Sequence, residues 1–205
     1  MKILVADLEG VFLPEIWINV AKKTGIEELK LTTRDISDYD VLMTRRLSIL
    51  KENNLKLRDI KEVIASLEPL EGALDILNWI RKETQIILLS DTFEEFAKPL
   101  MPKLNYPTLL CHNLTIEKQG EKQGNITDYN IRIKNQKQEA VKALMKLNYH
   151  VIAFGDSYND VKMIQEAENG FFFQPPDSVM KDFPDIPVTR DYDELKTMIK
   201  TLLVR

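Results

Sequence analysis

The chain has 205 residues, 44% of them hydrophobic, and a formal net charge of −4. That length buries one core, alone or with an insertion, and the slight acidity gives no reason to expect a nucleic-acid or anionic-membrane partner. A single cysteine, Cys111, excludes an intramolecular disulfide and favours a reducing setting; with no apolar run of ~18 residues, a cytoplasmic protein without a membrane span is expected.

The opening MKILVAD predicts a strand that ends in Asp7. From about residue 12 to 70 no strand is expected, only helical stretches: PEIWINVAKKTG, a run over about 39–53, and RDIKEVIASL. EGALDILNWIRKET has helical spacing at Ala73, Leu74, Leu77 and Ile80 and leads into the strand QIILLSD at 85–91. PTLLCH at 107–112 predicts a third strand, and the polar stretch 113–133, with Gly120 and Gly124, an exposed hairpin. A helix over about 136–148 leads into the strand HVIAFGD at 150–156; GFFF at 170–173 and the amphipathic YDELKTMIKTLL follow. Alternating strands and helices predict an α/β fold with a doubly wound, mainly parallel sheet. Its core spans residues 1–11 and 72–205, with a helical cap over 12–71. Trp17, Ile18 and Phe171 to Phe173 suit core better than interface, and the oligomeric state stays open.

Three of these strands end in an acid: Asp7 after VA, Asp91 after LLS and Asp156 after AFG. In open parallel sheets the ligand crevice lies beyond the carboxyl ends of the strands, so acids from separate segments can meet there. Clustered carboxylates repel unless a cation neutralises them, and a hard ion such as Mg2+ takes oxygen ligands. GDSYND at 155–160 offers Asp156 and Asp160 at a strand-to-helix turn, where Asp156 also suits a helix cap. Ser90 reaches the same crevice, or caps a helix starting near Phe93. Of the nearby lysines, Lys137 extends the apolar stripe of Ala140, Val141, Leu144 and Leu147, whereas Lys142 points elsewhere and Lys134 precedes the helix. Lys137 is therefore best placed to reach the acids, with Lys134 as the alternative; a lysine on such a stripe can also simply snorkel.

The ordered set Asp7-Leu8-Glu9, Ser90, Lys137 and Gly155-Asp156-x-x-x-Asp160 resembles the haloacid dehalogenase-type phosphatase superfamily, whose first motif is usually Asp-x-Asp. PEIWINVAKKTG, RRLSILKE and LEPLEGA resemble the helical cap of phosphoserine phosphatases. The DLEGV start is similar to the branch that combines phosphoserine phosphatase with phosphoserine:homoserine phosphotransferase activity. The resemblance implies Asp7 as nucleophile, Glu9 as acid and base, and Ser90 and Lys137 as phosphate binders. It implies Mg2+ held by Asp7, Asp156 and the backbone carbonyl of Glu9, with Asp160 and Asn159 orienting the metal shell and substrate and Asp91 lining the substrate site. Glu15 would meet the amino group of O-phospho-L-serine and Arg46 its carboxylate. Arg46 lies four after Leu42 and three before Ile49, on the buried side of its helix, where a planar fork suits a carboxylate. Glu15, after Pro14 in the first helical turn, also suits the helix dipole alone.

Water or L-homoserine as acceptor is left open. One rival expectation is a related phosphatase for another small phosphate ester; another is a non-catalytic binding protein on this scaffold, prompted by Glu9 where Asp is usual. Phosphate release with and without Mg2+ separates enzyme from binder. A receiver domain also uses aspartyl-phosphate and lysine, but lacks the helical insertion.

Overall fold

The structure, a computed structural model, describes residues 1–32, 35–36 and 38–204. Among them, strands β1 (Lys2–Ala6), β2 (Gln85–Phe93), β3 (Thr108–Ile116), β4 (Ile126–Asn130), β5 (His150–Gly155), β6 (Asn169–Phe173) and β7 (Val188–Thr189) form one sheet. Their order is β4-β3-β2-β1-β5-β6-β7. Neighbours run parallel except β3 and β4. β1 sits between β2 and β5, so the chain leaves it towards one side of the sheet and later returns on the other. That reversal opens a crevice beyond the carboxyl ends of β1, β2 and β5.

Both faces of the sheet are covered, which explains why Leu4, Val5 and Ala6 are all apolar and fully buried. On one face Leu4, Ala6, Leu88 and Phe154 share a core with α1 (Ile16–Thr24), α3 (Leu57–Ala65), α4 (Ala73–Glu83) and the C-terminal α9 (Tyr192–Val204). On the other, Val5, Leu89 and Ala153 pack against Val141 of α6 (Gln136–Lys146) and Met163 of α7 (Val161–Glu166). The doubly wound, mainly parallel sheet expected from the alternation is the one observed. Short helices α5 (Glu94–Ala97) and α8 (Asp177–Asp182), and the brief β7, carry too little periodicity to be read from sequence. Trp17 and Phe171 to Phe173 are buried in the cores.

Between β1 and α4 lie α1, α2 (Tyr39–Glu52) and α3. α1 buries Ile16, Trp17, Val20 and Ala21 and stops at Gly25, whose φ of +75° is left-handed and whose N–H closes on Ala21. α2 is capped by the Asp38 carboxylate, which accepts from the N–H groups of Asp40 and Val41.

One expectation needs correction. α6 ends at Lys146, and Leu147, assigned to its inward stripe, lies beyond the last turn and is 68% exposed. The exposed hairpin expected over 113–133 is present: β3, which starts at residue 108, pairs antiparallel with β4, and the hairpin also touches the helical segment. Leu57 N–H donates to Gly124 O at 2.8 Å, and the rings of Tyr39 and Tyr129 meet edge to face.

Candidate active site

Asp7 follows β1 directly, and its backbone N–H still bonds to Phe154 O of β5 at 3.1 Å. The carboxylates of Asp7, Asp156 and Asp160, all buried, offer oxygens within 4.8 Å of one another. Burial lifts the Asp7 pKa well above the usual carboxylate range, and repulsion from Asp160 and Asp156 adds to it against the opposing pull of Lys137. An all-oxygen set short of positive charge suits a hard divalent cation.

Two glycines make the cluster sterically possible. A Cβ on Gly155 would lie 2.3 Å from Asp160 Cγ, and one on Gly10 would lie 2.5 Å from Asp156 Cγ. Gly10 also has a φ of +78°. Gly10→Ala therefore combines left-handed strain with a collision against a buried acid. It should lower stability by about 1–3 kcal/mol, read by thermal melting; an unchanged melting temperature would refute the close approach.

Lys137, in the first turn of α6, is 3% exposed. Its Nζ contacts Asp160 Oδ1 at 2.8 Å, Asp7 Oδ1 at 2.9 Å and Asp91 Oδ2 at 3.9 Å. Although burial opposes its charge, these acids hold its pKa well above the ordinary lysine value. Lys134 is exposed, and Lys142 pairs with Glu139 at 2.8 Å on the surface. Asp160 is fully engaged: Oδ1 faces Lys137, and Oδ2 accepts from the N–H groups of Asp156 at 3.0 Å and Ser157 at 3.1 Å. That cross-link, rather than a cap by Asp156, shapes the GDSYND turn.

At the end of β2 the pairing with β3 shifts: Leu89 faces Leu110, yet Phe93 faces His112. Four residues on β2 therefore match two on β3, and the bulge carries Ser90 and Asp91 at the crevice. Ser90 Oγ accepts from Thr92 N–H at 3.2 Å, and Ser90 O accepts from the buried Gln136 side chain. Burial would raise the Asp91 pKa, but Lys137, His112 and Asn159 overcome it and hold the group at about 2.

The helical segment closes on the same crevice. Glu9 Oε2 accepts from Ile16 N–H at 2.7 Å, so Glu9 caps α1 from a distance of seven residues. Its carboxylate is thus outside the acid cluster. Burial and repulsion from Glu15 lift its pKa to about 7, against the Ile16 N–H, Thr92 and Arg46. Glu15, expected in the first helical turn, instead occupies the N-cap position, where its side chain makes no capping bond; Glu9 already fills that role. Arg46, 7% exposed, stacks on the Trp17 ring at 4.6 Å and donates from Nη2 to Leu31 O at 2.7 Å. Among the described residues its buried Nε has no hydrogen-bond partner, and burial lowers its pKa to about 10. Tyr39 Oη donates to Asp91 O at 3.1 Å, tying α2 to the end of β2.

Sequence patterns gave no notice of Tyr39, Thr92, His112 or Gln136. The available signal was polarity at strand ends and in a first helical turn, which also describes ordinary caps.

Comparison with known proteins accords with this geometry. The profile described as a hydrolase, haloacid dehalogenase-like hydrolase, matches residues 2–168. The chain is 53% identical over 196 residues to the phosphoserine phosphatase ThrH of Pseudomonas aeruginosa, covering 96% of this chain and 94% of that protein. It is 50% identical over 196 residues to a phosphoserine phosphatase of Pseudomonas syringae pv. tomato, covering 96% and 81% respectively. Among solved structures it resembles an apo phosphoserine phosphatase with a TM-score of 0.76 at 21% identity, over 96% of this chain and 98% of that one.

Proposed function

Because the chain belongs to the haloacid dehalogenase-like hydrolases, we propose that it is a Mg2+-dependent phosphoserine phosphatase acting through an aspartyl-phosphate on Asp7, with homoserine as a second acceptor beside water. The observation that carries this is the buried Asp7, Asp156 and Asp160 cluster against Lys137, with Glu9 poised near neutrality beside it. Asp7, Asp156 and the Glu9 backbone carbonyl would hold Mg2+, which supplies positive charge to the phosphoryl oxygens.

Asp7 Oδ attacks phosphorus as the bond to the serine oxygen breaks, and Glu9 gives its proton to that oxygen. The Glu9 carboxylate then takes a proton from water, or from the homoserine hydroxyl, as that oxygen attacks the phosphorus and releases Asp7. Ser90 and Lys137 bind the phosphoryl oxygens; Asp91, Asn159 and Asp160 keep Lys137 and the substrate in place. Residues 12–71 act as a cap that excludes water. Within it the Arg46 Nε is a buried donor available to the substrate carboxylate, and Glu15 meets the amino group. The single buried Cys111 suits a cytoplasmic enzyme.

The test is 31P NMR of phosphoserine turnover with and without Mg2+, repeated with homoserine present. Inorganic phosphate, with or without phosphohomoserine, is expected; no turnover of phosphoserine with Mg2+ would overturn the proposal. Arg46→Ala should lower kcat/KM for phosphoserine about 100-fold, as when a buried charge loses its partner, and that for p-nitrophenyl phosphate only slightly. Equal losses on both substrates would remove Arg46 from carboxylate recognition.

A further inference from the structure

His112 is 3% exposed, lies on β3 directly opposite Phe93, and has no part in the chemistry above. Its ring has a defined polarity. Nδ1 accepts from Arg132 N–H at 3.3 Å, and a nitrogen that accepts carries no proton. The imidazole proton therefore sits on Nε2, which faces Asp91 Oδ1 at 3.6 Å, a charge–dipole contact longer than a hydrogen bond. The donor that sets this polarity is itself pinned, because the Arg132 side chain donates back to Cys111 O.

Asp91 is held on its other oxygen too. Oδ2 accepts from Asn159 Nδ2 at 3.2 Å and faces Lys137 Nζ at 3.9 Å. One carboxylate thus joins a strand that lacks a catalytic group to the lysine that neutralises Asp7. It occupies the β2 bulge, where the ladder to β3 is broken and backbone pairing cannot fix it. Side-chain contacts must do so, and on the β3 side that contact is His112.

We propose that His112 is a positioning residue: as a neutral imidazole with its proton on Nε2, it orients the Asp91 carboxylate that keeps Lys137 and Asn159 in place. This deepens the phosphatase assignment and rests on it. A histidine that only fills space beside Phe93, whose ring lies 6.5 Å away, would tolerate an apolar replacement of similar size and would be indifferent to the state of Asp91.

The experiment has two arms. The chain contains two histidines, so 15N-resolved NMR of the histidine-labelled protein, with His112→Gln assigning the signal, reads the tautomer without any substrate. The Nε2–H form at neutral pH is expected, and the Nδ1–H form overturns the proposal. In the second arm His112→Leu should lower kcat/KM for both phosphoserine and p-nitrophenyl phosphate by roughly 10–100-fold, the scale of a small misplacement of catalytic groups. His112→Gln, which keeps a donor of similar reach, should stay within about threefold. Asp91→Asn and the Asp91→Asn/His112→Leu double variant should be equally impaired, since the histidine acts only through the aspartate. Additive losses, or a Gln variant as impaired as the Leu variant, overturn the positioning role. If phosphoserine is not turned over at all, the substrate assignment fails instead; the cycle on the aryl phosphate and the tautomer still decide the role of His112.

Discussion

Asp7→Asn is expected to lower kcat for phosphoserine by at least about 10,000-fold, the scale of removing a catalytic nucleophile, while leaving the fold intact. Asparagine has the same shape, and its Oδ1 can still accept the Leu8 N–H that Asp7 accepts at 2.7 Å. What it lacks is the charge and lone-pair basicity that attack phosphorus. The same substitution removes one of the mutually repelling buried acids. The folded-state pKa of Asp7 is raised, so the folded protein holds that proton more tightly than the unfolded chain. The stability tied to the proton is complete below the ordinary carboxylate range and is lost as pH rises through the raised value. At neutral pH the chelator-treated Asn variant should therefore melt no lower than wild type. Added Mg2+ should raise the wild-type melting temperature more than that of the variant, because a ligand stabilises in proportion to its affinity for the folded state. Phosphate release and thermal melting read both effects. An Asn variant within tenfold of wild-type turnover would sink the nucleophile assignment; a fully active but unstable one would make Asp7 a structural acid.

The fold was legible because its signals are local and repeated. Period-3.6 stripes marked α4 and the C-terminal helix, and apolar runs closed by acids marked β1, β2 and β5. The stripe through Ala140 and Val141 separated Lys137, which contacts three acids, from the exposed Lys134. What could not be read depends on close approach between distant segments. The β2 bulge has no sequence signature, so Ser90 and Asp91 looked like the last residues of a plain strand and His112 like the end of another. No pattern in the sequence shows that Gly10 and Gly155 each leave room for a carboxylate. Polar composition and two glycines marked the exposed β3–β4 hairpin, but nothing local reveals that Gly124 accepts from Leu57. Glu9 was visible as an acid, but its bond to the start of α1 was not, and that bond decides which acid does what.

Glu9→Gln is expected to lower kcat for phosphoserine by about 100- to 10,000-fold, the range for removing a general acid–base group, and to change the kinetics in a substrate-dependent way. Glu9 titrates at about 7 rather than 4.5 because burial and Glu15 outweigh the Ile16 N–H, Thr92 and Arg46. Near neutral pH it can therefore both give and take a proton. The serine alkoxide is a poor leaving group and needs that proton; p-nitrophenolate does not. With p-nitrophenyl phosphate the Gln variant should phosphorylate Asp7 at nearly the wild-type rate and then stall, because no base activates water. A burst of one equivalent of nitrophenol followed by slow turnover is the expected trace, whereas phosphoserine should give no burst. The stability of the metal-free enzyme should respond in step. Folded Glu9 keeps its proton to higher pH than the unfolded chain, so its contribution is complete below about pH 4.5 and lost as pH rises through about 7. The interval corresponds to roughly 3 kcal/mol, and the Gln variant should flatten the fall in melting temperature across that range. A variant with equal losses on both phosphate esters, no burst and an unchanged pH profile would show Glu9 to be a helix cap and nothing more.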